Sequence, residues 1–198
     1  MTKILDKDFW EQRYENKLTG WDIGYPSTPL KEYVDQIKNK DLKILIPGCG
    51  NAYEAEYMHQ NGFTNLFVLD VTDSALTNFK KRVPSFPEAN LIKTDFFNHA
   101  DTYDLIIEQT FFCSFYPEHR SNLVKQVHKL LKNGGKWVGV LFNREFENGN
   151  PPFGGHEAEY REYFEPYFTF NTFEMAHNSI QPREGTELFM ILTKKNLS

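Results

Sequence analysis

Leu42-Lys43-Ile44-Leu45-Ile46-Pro47-Gly48-Cys49-Gly50-Asn51, followed by Leu66-Phe67-Val68-Leu69-Asp70, is the stretch whose reading decides the fold of this chain. It predicts a buried strand, a glycine turn, a helix, a second buried strand, and an acid at that strand's end. The two glycines permit a tight turn in which backbone N–H groups come close to a ligand. An acid at the tip of the neighbouring strand suits the two hydroxyls of a ribose, because a carboxylate accepts from both. The pattern points to a nucleoside site, against the plainer alternative of a strand–turn–helix with no ligand.

A dinucleotide fingerprint places a third glycine where this chain has Tyr53. That glycine allows close helix–strand packing beside a pyrophosphate, so a tyrosine argues for a smaller ligand without phosphate. S-adenosylmethionine fits, with a ribose, an adenine and an amino-acid tail near the glycine turn. A nicotinamide oxidoreductase on a related fold is disfavoured by Tyr53 and by the lack of sequence for a second domain. A protein that binds the cofactor without turnover stays open, because binding and catalytic residues largely coincide here.

Outward from this stretch, strands and helices alternate. Leu42–Ile46, Asn65–Asp70, Asn90–Lys93, Tyr103–Gln109 and Lys136–Phe142 read as strands. Ala52–Asn61, Asp73–Arg82 and Pro117–Leu131 read as helices, the last stopped by Asn133-Gly134-Gly135. Such alternation implies a parallel sheet covered on both faces. After a Gly/Pro-rich loop comes a helix around Glu157–Phe164. Tyr167–Glu174 and Glu187–Thr193 then read as strands with no helix between them, which predicts antiparallel pairing. Before the alternating core, Asp8–Lys17 and Pro29–Lys38 read as helices, so residues 1–40 are expected to form a helical cap on a single domain of 198 residues.

Composition narrows the function. With 40% hydrophobic and 16% aromatic residues the chain is globular rather than disordered, and a formal net charge of −5 carries no footprint for nucleic acid. No apolar run is long enough to span a bilayer, and the polar start Met1-Thr2-Lys3-Ile4 is unlike a secretory leader. Two cysteines, Cys49 and Cys113, form neither a disulfide framework nor a metal site. The expectation is a cytoplasmic monomer acting on a small molecule, with no metal, nucleic-acid or membrane partner.

Ligands in open α/β sheets bind outside the carboxyl ends of the strands. That rule gathers Gly48 and Gly50, Asp70, Asp95 and Phe96, and Glu108, Gln109 and Thr110. Asp95 suits the adenine amino group, or serves as a turn residue. The aromatic run Phe111-Phe112-Cys113-Ser114-Phe115-Tyr116 reads as core or as a dry pocket wall. Trp10, Tyr14 and Trp21 read as a lid over a cationic sulfonium, or as a staple for the first helix. His156 reads as a base, or as a solvent-facing residue at a helix start.

Five alternating strands closed by a helix and a hairpin resemble the class I methyltransferase sheet. Phe9-Trp10 to Tyr14, Gly20-Trp21-Asp22-Ile23-Gly24, Pro47-Gly48-Cys49-Gly50, Thr94-Asp95-Phe96-Phe97, Thr110-Phe111-Phe112-Cys113, Pro117-Glu118-His119-Arg120 and Pro151-Pro152-Phe153 occur in this order. Through them the chain resembles the thiopurine S-methyltransferase family, most of all the plant halide and thiol methyltransferases known as harmless-to-ozone-layer proteins. The resemblance implies an α/β, Rossmann-like class I S-adenosylmethionine-dependent methyltransferase fold: a seven-stranded, mostly parallel sheet with helices on both faces. It implies that Trp10, Tyr14, Trp21, Asp70, Asp95 and Phe96 hold the cofactor. The glycine turn at Gly48 and Gly50, with Gln109 at a strand end, is expected to join them, and Trp21, Phe112 and Phe153 are expected to face the acceptor. Gln109 stands where the thiopurine enzyme carries an arginine and the plant branch a tyrosine, which disfavours a bulky thiopurine. The expected reaction is methyl transfer to a thiol, sulfide, chalcogen or halide by in-line displacement, with no catalytic side chain. The alternative acceptor is a larger aromatic thiol.

Overall fold

Ile44, Leu45 and Ile46 are all buried, yet they serve opposite sides of the sheet, as the two-residue period of a strand requires. Ile44 and Ile46 pack with Leu30, Val34, Ala55, Met58 and Phe79, while Leu45 packs with Leu123, Val124, Tyr160 and Phe164. A strand buried on both faces belongs in the centre of a parallel sheet. The computed structural model of the protein describes residues 5–147 and 149–197. The polar start Met1 to Ile4 lies outside them, as do Asn148 and Ser198.

The strands are β1 (Ile44–Pro47), β2 (Leu66–Asp70), β3 (Leu91–Lys93), β4 (Tyr103–Gln109), β5 (Leu131–Phe142), β6 (Phe168–Met175) and β7 (Glu187–Lys194). They form one seven-stranded sheet in the order β3-β2-β1-β4-β5-β7-β6. β1 to β5 run parallel, and β7 pairs antiparallel with both β5 and β6. The helices are α1 (Lys7–Glu15), α2 (Thr28–Asp35), α3 (Tyr53–Gln60), α4 (Asp73–Arg82), α5 (Arg120–Leu130) and α6 (Glu157–Phe164). α2, α3 and α4 cover one face, and α5 and α6 the other. The winding reverses between β1 and β4, so the carboxyl ends of these two strands border the crevice where such sheets bind ligands.

Both ends of α5 differ from the sequence reading. Pro117–His119 is a 3₁₀ turn and α5 starts at Arg120; proline suits a first turn but donates no bond to continue one. At the other end, Leu131 is already extended and pairs with Tyr103, while Lys136 pairs with Leu105. Asn133-Gly134-Gly135 is therefore an irregularity carried inside β5, with Gly134 at φ +72°, rather than a break before it. The expected cap of residues 1–40 also divides. α2 buries Leu30 and Val34 in the main core, while α1 and the following Trp21 segment border the cavity at the strand ends.

Candidate active site

The turn after β1 is shaped by what presses on it. Gly48 has φ +53°, and a Cβ there would lie 2.1 Å from the Phe111 ring. Gly50 also has φ +53°; its missing Cβ would sit 3.4 Å from Tyr14 Oη and 3.7 Å from Trp21 Nε1. Both positions thus need glycine for conformation, and Gly48 needs it for space as well.

Asp70, at the tip of β2, closes this turn. Its Oδ2 accepts from Gly50 N at 3.0 Å, and its Oδ1 accepts from Thr72 N at 2.9 Å and Thr72 Oγ1 at 2.8 Å. The carboxylate is buried, 7% exposed. Burial pushes its pKa up, while the Thr72 and Gly50 donors pull the other way. A carboxylate offers about four acceptor sites, so capacity remains for a ligand hydroxyl.

Asp70 lines a cavity of about 810 Å³ at the carboxyl ends of the strands, within the range of small-molecule pockets. Trp10, Tyr14, Trp21, Gly48, Gly50, Asp95 and Phe96 line it too. The Trp21 ring meets Trp10 edge-on at 5.7 Å and Tyr14 at 5.8 Å between centroids. Burial and the nearby Asp70 carboxylate push the Tyr14 phenol up, so it stays neutral. Asp95 accepts from Phe97 N through Oδ1 at 2.7 Å, which caps a 3₁₀ turn and leaves its second oxygen for a donor.

Gln109 borders a separate, small space of about 30 Å³, shared with Trp21, the glycine turn and Tyr53. Its Oε1 accepts from Thr110 Oγ1 at 3.1 Å, whereas its buried Nε2 has no hydrogen-bond partner among the described residues. An unpartnered buried donor beside a glycine turn is what an amino-acid carboxylate would satisfy. Tyr53 turns its hydroxyl to Asp22 Oδ2 at 3.5 Å under the Arg82 guanidinium, filling the position of a third glycine.

Phe112 and Phe153 do not line the large cavity. Phe112 is fully buried and meets Tyr160 and Phe164, each at 5.6 Å, whereas its neighbour Phe111, also buried, borders the cavity. Phe153 meets the Tyr116 ring at 4.6 Å between centroids, tilted by 37°, and the wall beside it is made by Pro151 and Pro152. His156 is exposed, 3.2 Å from Glu145, and also lies off the cavity. Glu108 is fully buried; its Oε2 accepts from Phe111 N at 3.1 Å and Phe112 N at 2.9 Å, so it builds the wall rather than facing the ligand.

Sequence reasoning passed over Glu118, His119 and Asn122 at the rim, although the Pro117-to-Arg120 motif marked their neighbourhood. Thr110, which the strand-end rule places here, lines both spaces at φ +57°, an outlier for a β-branched residue.

The family model described as Thiopurine S-methyltransferase (TPMT) matches residues 5–194. The chain is 30% identical over 185 residues to a probable thiol methyltransferase 2 of Arabidopsis thaliana, covering 90% of this chain and 81% of that protein. It is 28% identical over 193 residues to thiocyanate methyltransferase 1 of the same plant, covering 93% and 84%. Among solved structures, 1,6-didemethyltoxoflavin-N1-methyltransferase of Burkholderia thailandensis, crystallised with S-adenosylhomocysteine, superposes with a TM-score of 0.78 at 13% identity. That match covers 96% of this chain and 87% of the other.

Proposed function

The chain belongs to the thiopurine S-methyltransferase family and is an S-adenosylmethionine-dependent methyltransferase, and from that premise we propose that its acceptor is a small soft nucleophile: a thiol, sulfide, chalcogen species or halide. The observation that carries this reading is the cavity itself. It joins the Asp70 carboxylate and the glycine turn to a wall of Phe111, Phe115, Tyr116, Pro151 and Pro152, under three aromatic rings. The thiol and thiocyanate names of the plant relatives agree with such an acceptor.

When bound, S-adenosylmethionine supplies a methyl group already activated on a sulfonium centre. The residues then have three tasks. Asp70 holds the ribose hydroxyls, Asp95 and Phe96 hold the adenine, and Gln109 Nε2 with the backbone from Gly48 to Gly50 holds the amino-acid tail. Trp10, Tyr14 and Trp21 offer aromatic faces that attract the cation, and their bulk excludes water. The apolar wall strips water from the acceptor and aligns it, which is what a direct displacement needs. A thiol with a pKa of about 8.5 provides enough thiolate near neutral pH without a dedicated base. Two cysteines that are free and buried suit a reducing compartment, and we assign the enzyme to the cytoplasm.

The test is a methyl-transfer screen over thiols, sulfide, iodide, thiocyanate and thiopurines with S-adenosylmethionine as donor. The expected result is a higher kcat/KM for small anions and thiols than for thiopurines. Preference for thiopurines overturns the acceptor assignment, and binding without turnover on any acceptor overturns the enzymic one.

A further inference from the structure

Arg183 lies in the 3₁₀ turn Gln181–Arg183 that precedes β7, and it is 9% exposed. Its guanidinium forks. Nη1 donates to Glu187 Oε1 at 3.3 Å, at the first residue of β7, and Nη2 donates to the backbone carbonyl of Trp21 at 3.1 Å. The second bond joins residues 162 positions apart, from the carboxyl-terminal hairpin to the aromatic segment over the cavity. The same guanidinium stands 5.4 Å from the Phe142 ring at the end of β5, so three elements hold it in place.

The next residue is anchored as well. Asp22 Oδ1 accepts from Gly24 N at 2.8 Å, and Oδ2 accepts from Asn51 Nδ2 on the far side of the glycine turn. Trp21 therefore sits between two clamps, its carbonyl held by Arg183 and the following side chain held by Asn51. With the backbone fixed on both sides, the indole is directed over Gly50, where its Nε1 and Tyr14 Oη approach the turn. We infer that Arg183 is a positioning residue for methyl transfer, holding Trp21 in its cavity-covering orientation from the opposite end of the chain. This rests on the reading that Trp21 covers the cofactor.

The buried surroundings dictate how this is tested. Glu187 is 3% exposed, and Glu54 and Glu108 are buried nearby, so removing Arg183 alone strands a carboxylate and costs stability for a trivial reason. The informative variant is Arg183→Met with Glu187→Gln, which removes the donor to Trp21 and the stranded charge together. Glu187→Gln alone is its control, since the donor to Trp21 remains.

Three quantities are read for each: hydrogen exchange at residues 20–25 in the free protein, the dissociation constant of S-adenosylhomocysteine, and KM against kcat. The double variant is expected to exchange faster at residues 20–25 with core helices unaffected. It should bind the cofactor product about tenfold or more weakly, with KM for S-adenosylmethionine rising more than kcat falls. The control should resemble the wild type in all three. Unchanged exchange and affinity in a folded double variant overturn the proposal, as does an equal effect in the control, because the pair then only braces the hairpin. Failure of the wild type to bind S-adenosylhomocysteine would instead count against the cofactor site itself.

Discussion

Glu11 on α1 grips Ser74 at the start of α4. Its Oε1 accepts from Ser74 N at 3.1 Å and from Ser74 Oγ, while its Oε2 accepts from Asp73 N at 3.0 Å. A carboxylate placed on the first free N–H groups of a helix satisfies donors that have no partner within it and complements the helix dipole. The Lys7–Asp73 ion pair at 2.9 Å lies beside it but is exposed and contributes little. Glu11 is thus the principal polar tie between α1 and α4.

Glu11→Ala should therefore loosen α1 without unfolding the core. Hydrogen exchange over residues 7–15 is expected to accelerate, and S-adenosylhomocysteine binding to weaken by about 1 kcal/mol, the usual value of a capping contact. Unaltered exchange over those residues would show that the aromatic contacts of α1 hold it unaided.

Asp70→Asn should lower affinity for S-adenosylmethionine and S-adenosylhomocysteine by about 2–3 kcal/mol, since a charge-assisted acceptor becomes a neutral amide. The same change disturbs Gly50 and Thr72, which donate to the carboxylate. Affinity by calorimetry is accordingly compared with thermal stability. Full affinity in the folded variant removes Asp70 from the ribose site.

Glu108 makes stability depend on pH. Burial, opposed by the Phe112 and Phe111 N–H donors and reinforced by Glu187 and Glu54, pushes its carboxyl up to about 8. In the unfolded chain it titrates at about 4.3. Between those values the folded protein holds a proton that the unfolded chain has released, so stability falls as pH rises through this window and levels off above it. Glu108→Gln keeps an oxygen for the two N–H groups and removes the titration. Urea denaturation between about pH 5 and 8 should give a flatter profile for the variant, by on the order of a few kcal/mol. Parallel profiles would falsify this role for Glu108.

If the acceptor supplies the titrating group, the pH profile depends on the acceptor used. Rates with thiols should rise with pH as the thiol ionises, while iodide, which does not titrate, should give a comparatively flat profile. His156→Ala should keep most activity, because the imidazole is exposed and off the cavity. A single steep profile shared by thiols and iodide would point to an enzymic base, with rim residue His119 as the first candidate.

Phe112→Leu should lower stability by about 1–2 kcal/mol while leaving the acceptor KM unchanged, as expected of a ring packed in the core. A changed KM at constant stability would return Phe112 to the acceptor site.

The sequence by itself determined the parts that depend on neighbours along the chain. Alternation from Leu42 to Phe142, the glycine turn and the acid ending Leu66–Asp70 follow from strand period, backbone freedom and helix capping. All of these act over a few residues and point to Gly48, Gly50 and Asp70; Trp10, Tyr14, Trp21, Asp95 and Phe96, which line the same cavity, are singled out by the family resemblance. Side-chain direction and long-range pairing came from packing. Phe111 and Phe112 are the same residue type one position apart and both are buried in the core, yet only Phe111 also borders the cavity. The bond from Arg183 to Trp21 exists only because closing the sheet with an antiparallel β7 brings the last segment of the chain beside the first. Local pattern carries no information about such a contact, because its energy is realised only when the whole sheet has formed.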